Sequence, residues 1–292
     1  MNLRPNKTFG QNFLKSQKVV MSMLNASNIN ENDIVLEIGP GKGILTEKLL
    51  THAKKIIAIE KDTRLVEYLK EKFKKEIDKG TLTLLEGDIL DFEPKSADLD
   101  KNPYKIVANI PYYITGAILK KFLETEHQPE IITILVQKEV ARRIVGIEKR
   151  RKKAKPRPAG AVARSPERRF RESILSISVK AYGMPTYVEK VPARLFSPAP
   201  KVDSAILSVR KISRDFFDTI NETDFFKVLK AGFSHKRKLL MSNIKPLFNE
   251  TEKSSIQTDK KEILSACALP DNSRAENLTL NDWKCLTKGI NS

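Results

Sequence analysis

Cysteine is scarce in this chain of 292 residues, with Cys267 and Cys285 the only two. Two thiols build neither a disulfide framework nor a zinc site, so we expect reduced cysteines and no metal. Long apolar runs are missing too, and none approaches the roughly 18 residues that a bilayer span requires. The start, Met1-Asn2-Leu3-Arg4-Pro5-Asn6-Lys7, has no apolar stretch of the kind a secretory signal carries. No long basic helix with an aromatic apolar face suggests attachment to a membrane surface, and no internal repeat is visible. These absences leave a soluble, cytoplasmic chain with no membrane partner, expected to be a monomer. With 40% hydrophobic residues it can build a core, which excludes wholesale disorder.

The abundant feature is positive charge: 53 Lys and Arg against 36 acidic residues, a net +17. A polyanionic partner follows. Between Gly146 and Arg171 eleven basic residues meet only Glu148 and Glu167, so this stretch alone carries +9. Pro156, Pro158, Gly160 and Pro166 and the lack of apolar periodicity read as a flexible insertion over 146–171. Solvated filler and a tether for nucleic-acid phosphates are both compatible with it. A second cluster comprises Lys227, Lys230, His235, Lys236, Arg237, Lys238 and Lys245. It surrounds Phe225, Leu229 and Phe233 at helical spacing, giving one packing face and one basic face. A solvated face and an RNA-binding face remain open there.

Short apolar runs alternate with amphipathic stretches over the first two hundred residues. Ile34–Ile38, Ile56–Ile59, Thr81–Leu85, Lys105–Ala108 and Ile131–Val136 read as strands, with helices following most of them. Two later strands are expected at Ile174–Ala181 and Ala205–Val209, forming an antiparallel edge. Such alternation implies an α/β, doubly wound, mostly parallel sheet over residues 1–213. From about Asn221 the pattern turns helical, so a small all-α domain is expected over 214–292.

Glu37-Ile38-Gly39-Pro40-Gly41-Lys42-Gly43 lies between the first strand and the first helix. Glycines there let the backbone approach a ligand, at a helix N-terminus that favours anionic groups. A dinucleotide fingerprint needs glycine or alanine three residues after Gly41, where this chain has Ile44. Nicotinamide chemistry is thereby disfavoured, whereas E-x-G-x-G-x-G is the pattern of S-adenosylmethionine-binding folds. Glu60, ending the second strand, is placed to accept ribose hydroxyls, and Asp88, after the third, an adenine amino group. Singly, either carboxylate is as well explained as a helix cap. As an ordered set with Gly39 and Gly41 they point to an adenosine-containing cofactor.

Asn109-Ile110-Pro111-Tyr112-Tyr113 follows the fourth strand. The lone pair of an exocyclic adenine amine is delocalised into the ring, so methylating it demands help. The Asn109 amide oxygen and the Ile110 carbonyl can accept the two N–H bonds and favour a pyramidal nitrogen. Tyr112 can stack on the base and stabilise the growing positive charge. Neither a metal nor a nucleophilic side chain is needed.

Asn109-Ile110-Pro111-Tyr112 resembles the N-[IL]-P-Y motif of adenine-N6 methyltransferases acting on ribosomal RNA. Gly10-Gln11-Asn12-Phe13-Leu14 resembles the G-Q-[NH]-F-L element of that family, and Phe196–Ser204 its F-x-P-x-P-K-V-D-S element. Ala231–Lys238 is similar to a basic stretch in its C-terminal helical domain. The motifs keep their order from about Lys7 to the end and fit the KsgA-type small-subunit rRNA adenine dimethyltransferases best. The large-subunit type fits the F-x-P-x-P-K-V-D-S and basic elements less well. The resemblance implies that Asn12 and Leu14 close over the methionine end of S-adenosylmethionine and that Asn109 bridges cofactor and target. It implies that Phe196 stacks on a flipped adenine and that Lys236 and Arg237 contact RNA. It also implies a substrate: two adjacent adenosines in a hairpin loop near the 3′ end of 16S rRNA, within immature 30S subunits. The 146–171 insertion departs from the family, which usually has a short connection there. A binding-only relative that has lost catalysis would not need Glu37, Glu60, Asp88 and Asn109 together.

Overall fold

A computed structural model describes residues 3–6, 8–147, 171–235, 237–251 and 260–291. The insertion expected at 146–171 falls almost wholly outside them, as does Lys236. The chain divides into two compact units, Met1–Ala141 with Tyr182–Ser213, and Arg142–Ala181 with Arg214–Ser292.

The first unit begins with the two-residue strand β1 (Phe13–Leu14) and helix α1 (Gln17–Ala26), whose N-cap Ser16 accepts from the Val19 amide. A βα alternation follows: β2 (Ile34–Ile38), α2 (Ile44–Leu49), β3 (Lys55–Glu60), α3 (Thr63–Lys72), α4 (Lys74–Asp78) and β4 (Leu82–Glu86). It continues through β5 (Lys105–Ala108), α5 (Thr115–Glu124), β6 (Ile131–Gln137) and α6 (Lys138–Val145). α7 (Ile174–Tyr182), which like the end of α6 is grouped with the second unit, precedes β7 (Met184–Val191), the two-residue β8 (Phe196–Ser197) and β9 (Ser204–Arg210) of the first.

Seven strands form one sheet in the order β4-β3-β2-β5-β6-β9-β7. The first five run parallel, while β9 is antiparallel to both β6 and β7. Parallel strands covered on both faces read as continuous apolar runs, which is why β2, β3, β5 and β6 are legible in sequence. Their side chains are buried, among them Val35, Leu36, Ile57, Val107 and Ile134. The order reverses between β2 and β5, and ligands bind outside the carboxyl ends of strands at such a reversal.

The expected strand at Ile174–Ala181 is instead helix α7. Its polar and apolar residues alternate as in a strand, but Ser173 and Ser176 cap each other. The Ser173 hydroxyl accepts from the Ser176 amide, and the Ser176 hydroxyl accepts from the Ser173 amide at 2.6 Å. That reciprocal cap fixes a helical start, and Ile177 and Ala181, four apart, enter the core of the second unit. The edge strand is β7, which carries Pro185 where an edge tolerates it.

The second unit holds α8 (Glu222–Gly232), α9 (Leu240–Thr251), α10 (Lys260–Ala266) and α11 (Leu280–Asn291). Trp283, Phe225 and Leu286 are fully buried at its centre. Phe233 stacks on Trp283 with ring centroids 5.5 Å apart. The described residues 142–147 and 171–181 group with these helices, whereas the sequence pattern places the boundary near 213. The cysteines also differ from expectation. Cys267 and Cys285 form a disulfide with Cα atoms 5.8 Å apart, because α10 packs on α11 and brings residues 18 apart together.

Candidate active site at the strand ends

One cavity opens at the carboxyl ends of β2, β3, β4 and β5. Asn12, Leu14, Gly39, Gly41, Glu60, Asp88, Asn109, Ile110, Tyr112 and Phe196 all line it, together with Glu37. Arg237, with the other described basic residues singled out around it, is not among the lining residues; it is exposed on the second unit.

The glycine loop is held by its neighbours. The Gly39 amide donates to the Ile59 carbonyl and the Gly43 amide to Pro40. Gly43 sits at the start of α2 with φ +78°, and a Cβ there would lie 2.6 Å from the Phe73 ring. Left-handed backbone costs an L-residue about 1–2 kcal/mol, and overpacking a core adds about 1–3 kcal/mol. Gly43→Ala is therefore expected to lose about 3 kcal/mol of stability, read as a lowered denaturation midpoint in urea.

Glu60 organises the same loop. Its Oε2 accepts from the Gly41 amide at 3.1 Å, and its Oε1 from the amides of Lys61 and Asp62 at 2.9 and 3.0 Å. Burial raises its pKa although these amides oppose the shift. An ionised carboxylate has about four acceptor sites, so Oε2 keeps room for a further hydroxyl. Asp88 accepts the Leu90 amide on Oδ1 and the Lys61 ammonium on Oδ2 at 2.6 Å. The lysine, chiefly through that hydrogen bond, holds Asp88 below the usual carboxylate range.

Glu37 is the anomaly. It lies fully buried on the central strand β2, yet neither of its oxygens is in a well-formed hydrogen bond among the described residues. Burial pushes its pKa up to about 8; Thr46 pulls the other way, and the charge of Glu60 adds to the rise. The folded state thus holds the Glu37 proton at pH values where the unfolded chain has released it. Stability is fully present below about pH 4.5, falls as pH rises towards 8, and is level beyond. Glu37→Gln is expected to flatten this decline, which amounts to at most about 1.4 kcal/mol per pH unit. Urea melts at several pH values check it.

Asn109 is fixed by the N-terminal segment. Its Nδ2 donates to the Asn12 carbonyl at 3.2 Å, leaving Oδ1 to accept from something in the cavity. The Tyr112 hydroxyl shares a hydrogen bond of 2.6 Å with Ser204 at the start of β9, and burial raises its pKa. Phe196 is 2% exposed and pairs in register with Leu14 across β8 and β1, so it forms a wall of both the cavity and the core.

Sequence reasoning missed a latch on that segment. Gln11 Oε1 accepts from the Asn6 amide, and its Nε2 donates to Asp62 at 2.9 Å. Arg64 grips the same carboxylate through two nitrogens at 2.9 and 2.6 Å, and chiefly this bond depresses the Asp62 pKa. Asp62 also caps α3, the one part of the latch that sequence signals. Its pairing with Gln11 spans 51 residues and leaves no local pattern.

Comparison with known proteins gives the family. The family model for ribosomal RNA adenine dimethylase matches residues 2–155 and 162–284. A ribosomal RNA small subunit methyltransferase A from Dehalococcoides mccartyi is 37% identical over 97% of this chain and 88% of its own length. A dimethyladenosine transferase from Plasmodium falciparum, solved by crystallography, superposes with a TM-score of 0.70. It is 28% identical, covering 94% of this chain and 95% of its own. The 23S rRNA methyltransferase ErmE shares the fold, with a TM-score of 0.71 at 24% identity over 96% of this chain and 100% of its own. With a strand-end cavity walled by Glu60, Asp88 and Asn109 and a family match over nearly its whole length, the chain is a member of the ribosomal RNA adenine dimethylase family.

Proposed function

We propose that the chain uses S-adenosylmethionine to methylate N6 of two adjacent adenosines in a hairpin loop near the 3′ end of small-subunit rRNA. Each adenosine receives two methyl groups, and the substrate is the immature 30S subunit in the cytoplasm. The observation that carries the reading is the gathering of Gly39, Gly41, Glu60, Asp88 and Asn109 around one cavity at the sheet reversal. Its support is the name and near full-length match of the Dehalococcoides relative.

The residues present fit the cofactor. Glu60 has an acceptor site left for a ribose hydroxyl, and Asp88 is an ionised acceptor for an adenine amino group. Glu37, buried with neither oxygen in a well-formed hydrogen bond among the described residues, suits a cationic group such as the methionyl ammonium. S-adenosylmethionine supplies an electrophilic methyl group. The chain supplies position and charge. Asn109 Oδ1 and the Ile110 carbonyl accept from the target amine and hold its lone pair toward the methyl. Tyr112, tied to Ser204, presents its ring to the base, and Phe196 offers a second apolar face. A single-stranded loop suits this because its bases are already partly splayed. Arg237 and the basic residues of 146–171 would meet RNA phosphates.

Calorimetric titration with S-adenosylmethionine tests the cofactor assignment. Binding should release protons near pH 7, seen as heats that vary with buffer ionisation, because a cation beside Glu37 favours its carboxylate. Proton release should vanish in Glu37→Gln. Binding without any proton release would remove Glu37 from the cofactor site.

A further inference from the structure

The two tyrosines of Asn109–Tyr113 are treated differently by the fold. Tyr112 is half-buried and its hydroxyl is bonded to Ser204. Tyr113, the next residue, is 68% exposed, the highest value among the large apolar and aromatic side chains left exposed. Its hydroxyl has no hydrogen bond among the described residues, yet Tyr113 still lines the mouth of the transfer cavity. One edge of its ring passes Gly10, where an added Cβ would lie 3.5 Å from Cε1. That is an ordinary van der Waals distance, so the ring lies alongside Gly10 while most of it faces outward. Lys61 lines the same cavity, its ammonium paired with Asp88 at 2.6 Å, so a cation shares the rim with the ring.

An exposed ring beside a cation at the rim of a base-receiving cavity is what single-stranded nucleic acid stacks on. We propose that Tyr113 is a substrate-binding residue that stacks on the nucleobase next to the one being methylated, with Lys61 near the intervening phosphate. This rests on the reading of the chain as an enzyme for two adjacent adenosines. When one adenine enters the cavity, its neighbour is left unstacked at the rim and needs a surface. Tyr113 supplies that surface, and so governs how readily the enzyme completes the pair.

The test is methyl transfer from labelled S-adenosylmethionine to unmethylated small subunits, comparing wild type with Tyr113→Ala, Tyr113→Leu and Tyr113→Phe. Truncating a stacking aromatic costs about tenfold in nucleic-acid affinity or more. Tyr113→Ala should raise KM for the subunit about tenfold, with affinity for S-adenosylmethionine unchanged. It should also raise the fraction of rRNA carrying only one dimethylated adenosine. Tyr113→Phe should match wild type, because the ring and not the hydroxyl does the stacking, and Tyr113→Leu should resemble Tyr113→Ala. A Tyr113→Ala enzyme within twofold of wild type in KM and product ratio would overturn the proposal. So would a leucine variant that behaves like phenylalanine, or a loss confined to cofactor affinity. Failure of the wild-type chain to methylate small subunits at all would instead refute the substrate reading on which the proposal stands.

Discussion

Asn109→Ala is expected to reduce the single-turnover rate of methyl transfer by about 10²–10³-fold, the scale for removing one preorganised polar group from a transition state. The physical reason is local. The Asn109 amide is oriented by donation to the Asn12 carbonyl, so its oxygen is committed to the cavity before any substrate arrives. Alanine removes the acceptor, and the target amine keeps its lone pair in the ring. Subunit binding should change little, because phosphate contacts elsewhere carry most of that affinity. Asn109→Asp is the sharper variant. It has nearly the same shape, but it sets a carboxylate against the Asn12 carbonyl, so the side chain loses its fixed orientation. A rate within threefold of wild type in either variant would remove Asn109 from the chemistry.

The second large effect is expected at Glu60. Its two oxygens satisfy the amides of Gly41, Lys61 and Asp62, and each buried amide left unpaired costs about 1–3 kcal/mol. Glu60→Ala should therefore loosen the glycine loop and lower stability by several kcal/mol. Affinity for S-adenosylmethionine should fall by about 100-fold or more, as the loop and the ribose acceptor are lost together. Glu60→Gln separates the two roles. Its carbonyl oxygen can keep the Lys61 and Asp62 amides while its NH₂ faces Gly41, so most stability should survive and cofactor affinity should still fall. Calorimetry and urea melts on the same preparations read both. Unchanged affinity in the glutamine variant would make Glu60 a structural residue only.

Much of the parallel sheet could be read from the chain alone, because doubly covered strands appear as short apolar runs. The glycine loop after β2 and the polar residues after β3, β4 and β5 then fall at one sheet edge by topology. Where sequence misled, a local device prevailed over pattern. Ile174–Val179 alternates like a strand, yet the Ser173 and Ser176 caps make it a helix. Conversely, β7 is hard to read from sequence because Pro185 and the adjacent Glu189 and Lys190 disguise an edge strand. The poorly satisfied burial of Glu37 is invisible in sequence, since nothing in Glu37-Ile38-Gly39 tells that its oxygens form no well-formed hydrogen bond among the described residues. Gln11 with Asp62, and Lys61 with Asp88, are pairings across the fold with separations of 51 and 27 residues. The disulfide leaves no sequence signal: a count of two cysteines does not say that they meet, which depends on how α10 lies against α11.

The most direct measurement is to map the modification itself. Purified chain and labelled S-adenosylmethionine are incubated with ribosomal subunits from a strain lacking the activity, and the rRNAs are analysed by primer extension and nucleoside mass spectrometry. The account predicts N6,N6-dimethyladenosine at two adjacent positions near the 3′ end of the small-subunit rRNA. Label in large-subunit rRNA, or none in either RNA despite tight cofactor binding, would contradict it.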